Sequence, residues 1–145
     1  EWGKDLSSKL EAVLLEKFGN QPVFITHHPE QIKFFNMKTN EKDPRVVNSA
    51  DLILPFCGEA IGAAEREFEY KKVYEKLRRS TMLKQLEKRG GSIKDYEWYL
   101  RHLRENKSLP HAGFGMGLSR VTQFILGSDD IRKSTLFPLN KETIM

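Results

Sequence analysis

The chain has 145 residues, with 24 Lys+Arg against 20 Asp+Glu for a formal net charge of +4, and is 39% hydrophobic and 30% charged. This is enough for one domain with a core, and the balance reads as a globular chain rather than a disordered one. No apolar run approaches the ~20 residues of a membrane span, no secretory leader is visible at the start, and the single cysteine, Cys57, excludes an internal disulfide, so a cytoplasmic protein is expected.

Asp5 or Ser7 is placed to cap a first helix, with Leu6, Leu10, Val13, Leu14 and Phe18 on one face and Gly19 closing it. Pro22 to Thr26 reads as a strand, and Ile32 to Met37 as a second. Asn40 to Pro44 is the turn before a third strand, Val46 to Leu54, with Asp51 near its centre. Gly58 to Arg66 continues as an irregular strand, small enough on one side for a ligand to approach. Glu69 to Lys88 reads as one long charged helix with Val73, Leu77, Leu83 and Leu86 as sparse apolar positions, ended by Gly90-Gly91. Its basic pairs could meet a polyanion, although a solvated helix face gives the same pattern. Ser92-Ile-Lys-Asp95 has the form of a capping box, opening a helix with Tyr96, Tyr99, Leu100 and Leu103 inward.

The stretch His111-Ala-Gly-Phe-Gly-Met-Gly-Leu-Ser-Arg120 is the most informative. Gly113, Gly115 and Gly117 alternate, which clears one face of a strand so that a flat ligand can lie against the backbone. Leu118, Val121, Ile125 and Leu126 then have helical spacing, ending at Gly127. Arg120 falls in the first turn of that helix, where a guanidinium can stack on a purine and reach phosphate oxygens. No G-x-G-x-x-G opens a βαβ unit. Strands joined by hairpins and interrupted by helices give an α+β class. His27-His28 does not suggest zinc, because adjacent strand residues point to opposite faces and no third ligand stands at zinc spacing. Glu59 and Arg66, seven apart, have a bland reading as a surface ion pair worth little.

The segment 111–126 resembles motif 3 of the class II aminoacyl-tRNA synthetases, and Leu136-Phe137-Pro138 resembles the tail that closes their catalytic domains. Gly58-Glu-Ala-Ile-Gly-Ala-Ala-Glu-Arg-Glu67 is similar to the G-E-x-I-G-G-S-Q-R-E of the asparaginyl branch. Tyr96-Glu-Trp-Tyr-Leu100, Pro110-His-Ala-Gly-Phe-Gly115, Pro29-Glu-Gln-Ile-Lys-Phe-Phe35 and Trp2-Gly-Lys-Asp-Leu6 match in order along nearly the whole chain. Eight positions separate Asp51 from Glu59, where the aspartyl branch usually has seven. The chain departs from the pattern at Ala63-Ala64-Glu65 for G-S-Q, at Ser119 for an acidic residue, and at Leu139-Asn140 where an arginine is usual. It contains no F-R-x-E strand with a loop arginine (motif 2) and no motif 1.

The resemblance implies an antiparallel sheet flanked by helices, with residues 1–145 as the C-terminal half of a class II catalytic domain. It implies ATP-dependent activation of asparagine and its transfer to tRNA by a homodimer that does not enter membranes. The alternatives are an aspartate-activating relative (a tRNA ligase or an asparagine synthetase paralogue) and a non-catalytic module. By the same resemblance Arg120, Gly115, Gly117 and Glu59 would hold ATP, with Arg120 and Glu59 catalytic. Asp51 and Glu59 would hold Mg2+. Arg66 would read the amino-acid side chain. His111, just before the bared strand with Gly113, and Lys33 and Phe35, on one face of their strand, could line that pocket, although a histidine bonded to backbone and a core phenylalanine fit the same positions equally well.

Overall fold

The computed structural model describes residues 2–106 and 108–138. The elements are α1 (Ser8–Lys17), β1 (Val23–Thr26), β2 (Ser49–Leu54), β3 (Gly58–Arg66), α2 (Tyr70–Arg79), α3 (Thr81–Lys88), α4 (Glu97–Glu105), β4 (His111–Met116) and α5 (Leu118–Leu126), with 3₁₀ turns at Glu30–Ile32, Ile93–Tyr96 and Ile131–Ser134. The strands form one antiparallel sheet in the order β1-β2-β3-β4, with Val23 opposite Ile53 and Thr26 opposite Ala50. This is the expected α+β class.

The chain divides into two units. The first comprises 2–4, His27–Ser49 and Ala63–Gly113. The second comprises Asp5–Thr26, Ala50–Gly62 and 114–138. The core of the first gathers Phe35, Val73, Leu77, Leu83, Leu100 and Leu103. The capping box forms as expected: the Ser92 N–H donates to the Asp95 carboxylate at 2.8 Å, and Ser92 Oγ accepts from Lys94 N–H at 3.2 Å. It opens a 3₁₀ turn that runs on into α4.

The expected strand over 32–37 does not form. After Pro29 the backbone makes a 3₁₀ turn, the Met37 N–H turns back to the Phe34 carbonyl at 3.1 Å, and only single bridges follow, Met37 to Arg66 and Thr39 to Val47. Two interactions explain the bend. The Phe35 ring is drawn edge-on against Tyr96 at 5.5 Å and Tyr99 at 6.3 Å, where burial outweighs strand pairing. Lys76, 7% exposed, pairs with Glu30 at 3.3 Å, donates to Thr39 Oγ1 at 2.9 Å and also donates to the Met37 carbonyl. A buried ammonium satisfied by three oxygens clamps both ends of the segment.

The single helix expected over 69–88 breaks at Ser80, which sits at φ −67°, ψ 145° between α2 and α3. Ser80 Oγ donates to the Leu77 carbonyl at 2.7 Å and accepts from Leu83 N–H at 3.1 Å, ending one helix and capping the next. The strand expected from Val46 begins at Ser49, with Val46 and Val47 making isolated bridges before it.

In the second unit, α1 is capped by neither Asp5 nor Ser7 through a side chain. Its inward residue is Leu15, 6% exposed, while Leu10, Val13 and Phe18 are 52%, 48% and 59% exposed. The stripe read from sequence is rotated away from the packed face. Leu15→Ala is therefore expected to lower the unfolding free energy of the native gene product by roughly 2–5 kcal/mol. Leu10→Ala should cost no more than about 0.5 kcal/mol. Urea titration distinguishes the two, and equal losses would contradict this packing.

Candidate functional site

The glycine strand forms at β4, and Gly117 ends it as the N-cap of α5. In the second unit the Gly117 N–H donates to the Ala60 carbonyl at 2.9 Å, which ties the start of α5 to β3. A Cβ at Gly117 would lie 3.7 Å from Arg120 Cβ and Cδ, so the arginine stem passes directly beside this glycine. A Cβ at Gly115 would meet nothing within 4 Å. The Arg120 guanidinium donates through Nη1 to the Glu59 carbonyl, which orients it toward the turn between β2 and β3.

That turn is held from below. Gln123, 4% exposed, donates through Nε2 to the carbonyls of Phe56 at 3.3 Å and Ser128 at 3.1 Å. Phe56 occupies the left-handed region at φ +68°, a costly conformation for a side chain with a Cβ. A cavity of about 420 Å³ opens here, lined by Glu11 and Leu15 of α1, by Phe56, Cys57 and Glu59, and by Arg120. Burial pushes the Cys57 thiol above its ordinary range, against the opposing pull of the Arg120 charge.

Asp51 of β2 is 5% exposed, and Glu59 follows at the start of β3. The two acids converge on one volume. A Cβ at Gly62 would stand 3.0 Å from Glu59 Oε1 and 3.6 Å from Asp51 Oδ1. A side chain at this position would press on the Glu59 carboxylate. Two hard oxygen donors beside an open volume fit a cation that keeps several waters, which is the habit of magnesium. Among the described residues no set of three His, Cys, Asp or Glu gathers for a metal, so this is a carboxylate pair and not a closed protein cage.

In the first unit Arg66 ends β3. A Cβ at Gly113 would lie 3.7 Å from its Nη2 and 3.8 Å from its Nε, and Nη1 donates to Asn36 Oδ1 at 3.4 Å. Tyr99 is close enough that its phenol responds to Arg66. Burial raises its pKa, the Arg66 charge opposes that rise, and the Glu67 charge adds to it.

The other expected pocket residues sit differently. Phe35 belongs to the hydrophobic core, 6% exposed, so its place beside Lys33 on one strand face is withdrawn along with the strand. Lys33 closes the 3₁₀ turn, half-buried, its N–H donating to the Glu30 carbonyl at 3.2 Å. His111 is exposed, and its ring Nδ1–H donates to the Leu109 carbonyl at 2.9 Å, the contact of a histidine that shapes its own loop. His28 is buried against Ser49, with Nδ1 at 3.0 Å from the hydroxyl.

Sequence spacing did not reveal Asn36, Tyr99 or Glu11, since each lies far along the chain from the residue it approaches. The departure at Glu65 has a structural account. Its carboxylate takes Lys38 Nζ at 2.8 Å and Asn48 Nδ2 at 2.7 Å, so an acid is matched by a lysine there. The departure at Leu139-Asn140 lies outside the described residues.

Comparison with known proteins adds to this geometry. A family model described as tRNA synthetases class II (D, K and N) matches residues 4–141. The asparagine–tRNA ligase of Pyrococcus furiosus is 42% identical over 139 residues, which cover 95% of this chain and 30% of that protein. The crystal structure of asparaginyl-tRNA synthetase from Pyrococcus horikoshii superposes with a TM-score of 0.81 at 38% identity, over 99% of this chain and 32% of that one. The same enzyme complexed with asparaginyl-adenylate gives 0.80 at 39% identity, over 97% of this chain and 30% of that one. The chain thus spans about a third of the length of the relatives it matches.

Proposed function

Since the chain belongs to the class II tRNA synthetases (D, K and N), we propose that it serves as the C-terminal half of the catalytic domain of an asparagine–tRNA ligase, with motif 3 at 111–126. The observation that carries this reading is 42% identity to such a ligase along 95% of the chain, together with the likeness to a relative solved with asparaginyl-adenylate. The proposed reaction joins the asparagine carboxylate to the α-phosphorus of ATP, breaks the bond to the leaving oxygen and releases pyrophosphate. A ribose hydroxyl of tRNA then attacks the activated carbonyl and displaces AMP.

Arg120 would lay its guanidinium on adenine, and the bond from its Nη1 to the Glu59 carbonyl supports this reading by fixing the side chain beside the start of β3. Gly115 keeps the strand open for the nucleotide. Asp51 and Glu59 would hold Mg2+, which when bound neutralises phosphate charge as pyrophosphate departs. Arg66 presents a planar fork to the amino-acid side chain, with Gly113 leaving the approach clear. Lys33 and His111 are assigned to the margin of that pocket. Among the described residues no helix is long and apolar enough to cross a membrane, and we assign the native gene product to the cytoplasm as a homodimer.

The test is asparagine-dependent ATP–pyrophosphate exchange by the native gene product, followed by charging of tRNA. Exchange with asparagine well above that with aspartate, and transfer to tRNA, are expected. Exchange with aspartate alone, adenylate made but never passed to tRNA, or no exchange with either amino acid would each overturn the assignment.

A further inference from the structure

We infer that Asn36 is a positioning residue for substrate selection, fixing the Arg66 guanidinium so that its Nε–Nη2 edge is the one offered to the amino-acid side chain. This deepens the reading of Arg66 above and rests on it.

A guanidinium has two forked donor edges, Nε with Nη2 and Nη1 with Nη2, and either can meet both oxygens of a carboxylate or converge on the single oxygen of a carboxamide. In this chain Nη1 is engaged by Asn36 Oδ1, while Nε and Nη2 face the side where Gly113 lacks a side chain. The amide oxygen of Asn36 thus takes up Nη1 and leaves the Nε–Nη2 edge for a ligand. An arginine left to rotate would present its edges in turn, and ordering it on binding would cost affinity.

Asn36 is well placed to act this way because its own backbone is held on both sides. Its carbonyl accepts from the Glu67 N–H at 2.9 Å, Met37 bridges to Arg66, and the Lys38 N–H donates to the Glu65 carbonyl at 2.9 Å. The preceding ring, Phe35, is buried in the core, and the following carbonyl is capped by Lys76. The amide oxygen is thus delivered by a rigid segment and not by a loose loop.

The neighbouring acid, Glu67, is 2% exposed and turns Oε1 to the N–H groups of Phe68 at 3.1 Å and Glu69 at 3.3 Å.

The experiment compares Asn36→Leu, which removes the acceptor at similar size, with Asn36→Asp, which keeps it, in the native gene product by pyrophosphate exchange. Asn36→Leu should raise the asparagine KM roughly tenfold with the ATP KM unchanged, and Asn36→Asp should restore it to within about threefold. An unchanged asparagine KM in Asn36→Leu, an equal rise in both Michaelis constants, or an Asn36→Asp variant as impaired as Asn36→Leu would each overturn the inference. Should Asn36→Leu fail to fold, the Asn36→Asp result decides alone: near-normal asparagine KM supports it and a tenfold rise refutes it. A wild-type protein that exchanges only with aspartate refutes the asparagine reading, and the same comparison is then made on aspartate. A wild-type protein inert with both amino acids overturns both.

Discussion

Arg66→Ala in the native gene product is expected to lower kcat/KM for asparagine by at least about a hundredfold, since two hydrogen bonds from a charged donor contribute roughly 3–6 kcal/mol together. The ATP KM should move little, because Arg66 is assigned to the amino-acid side chain and its Nη1 is held by Asn36. Arg66→Lys should not behave as a mild change. The ammonium keeps the charge but loses the pair of coplanar donors that converge on the amide oxygen, so most of the hundredfold loss should persist. Steady-state exchange kinetics with each substrate varied in turn measure the split. A lysine variant with wild-type asparagine KM would show that Arg66 acts as a simple positive charge and not as a planar fork.

Arg120→Ala is expected to show the opposite pattern, with ATP use impaired roughly thirtyfold and the asparagine KM nearly constant. A desolvated cation–π contact is worth about 2 kcal/mol, close to that factor. The substitution also removes the bond from Nη1 to the Glu59 carbonyl, which orients the start of β3 where the acid pair stands. A second effect should follow, a raised magnesium requirement, because Glu59 is one of the two carboxylates that converge over Gly62. ATP titrations at several magnesium concentrations read both. An ATP KM and turnover equal to those of the wild type would remove Arg120 from the nucleotide site.

Much of the local architecture was legible in the sequence. The bounds of β3 follow directly from Gly58 to Arg66, the capping box forms at Ser92 and Asp95, and Gly127 closes α5 in the left-handed conformation at φ +59°. These are decided by near neighbours, through chain stiffness, capping and the freedom of glycine. The likeness of residues 111–126 to motif 3 was legible for the same reason, since spacing of three glycines and one arginine is a local property.

Tertiary structure decided which faces were covered. The periodicity of α5 shows where its apolar residues align, yet Leu118, Ile125 and Leu126 are exposed and polar Gln123 is the buried residue, because it holds the Phe56 turn. The stripe on α1 is displaced in the same way, and Leu15 packs instead. Residues 32–37 have the composition of a strand, but Phe35 and the Lys76 clamp come from contacts about 40 to 65 positions away along the chain, and their burial outweighs local β preference. The same limit applies to chemistry. Asp51 and Glu59 could be named from sequence, but that both carboxylates meet over Gly62 is a fact of strand pairing. Asn36 lies thirty residues from Arg66 and carries no motif at all. A hydrogen bond across that separation is determined only when the fold brings the two segments together, because the chain encodes a residue's own conformational preferences far more directly than the identity of its distant neighbours.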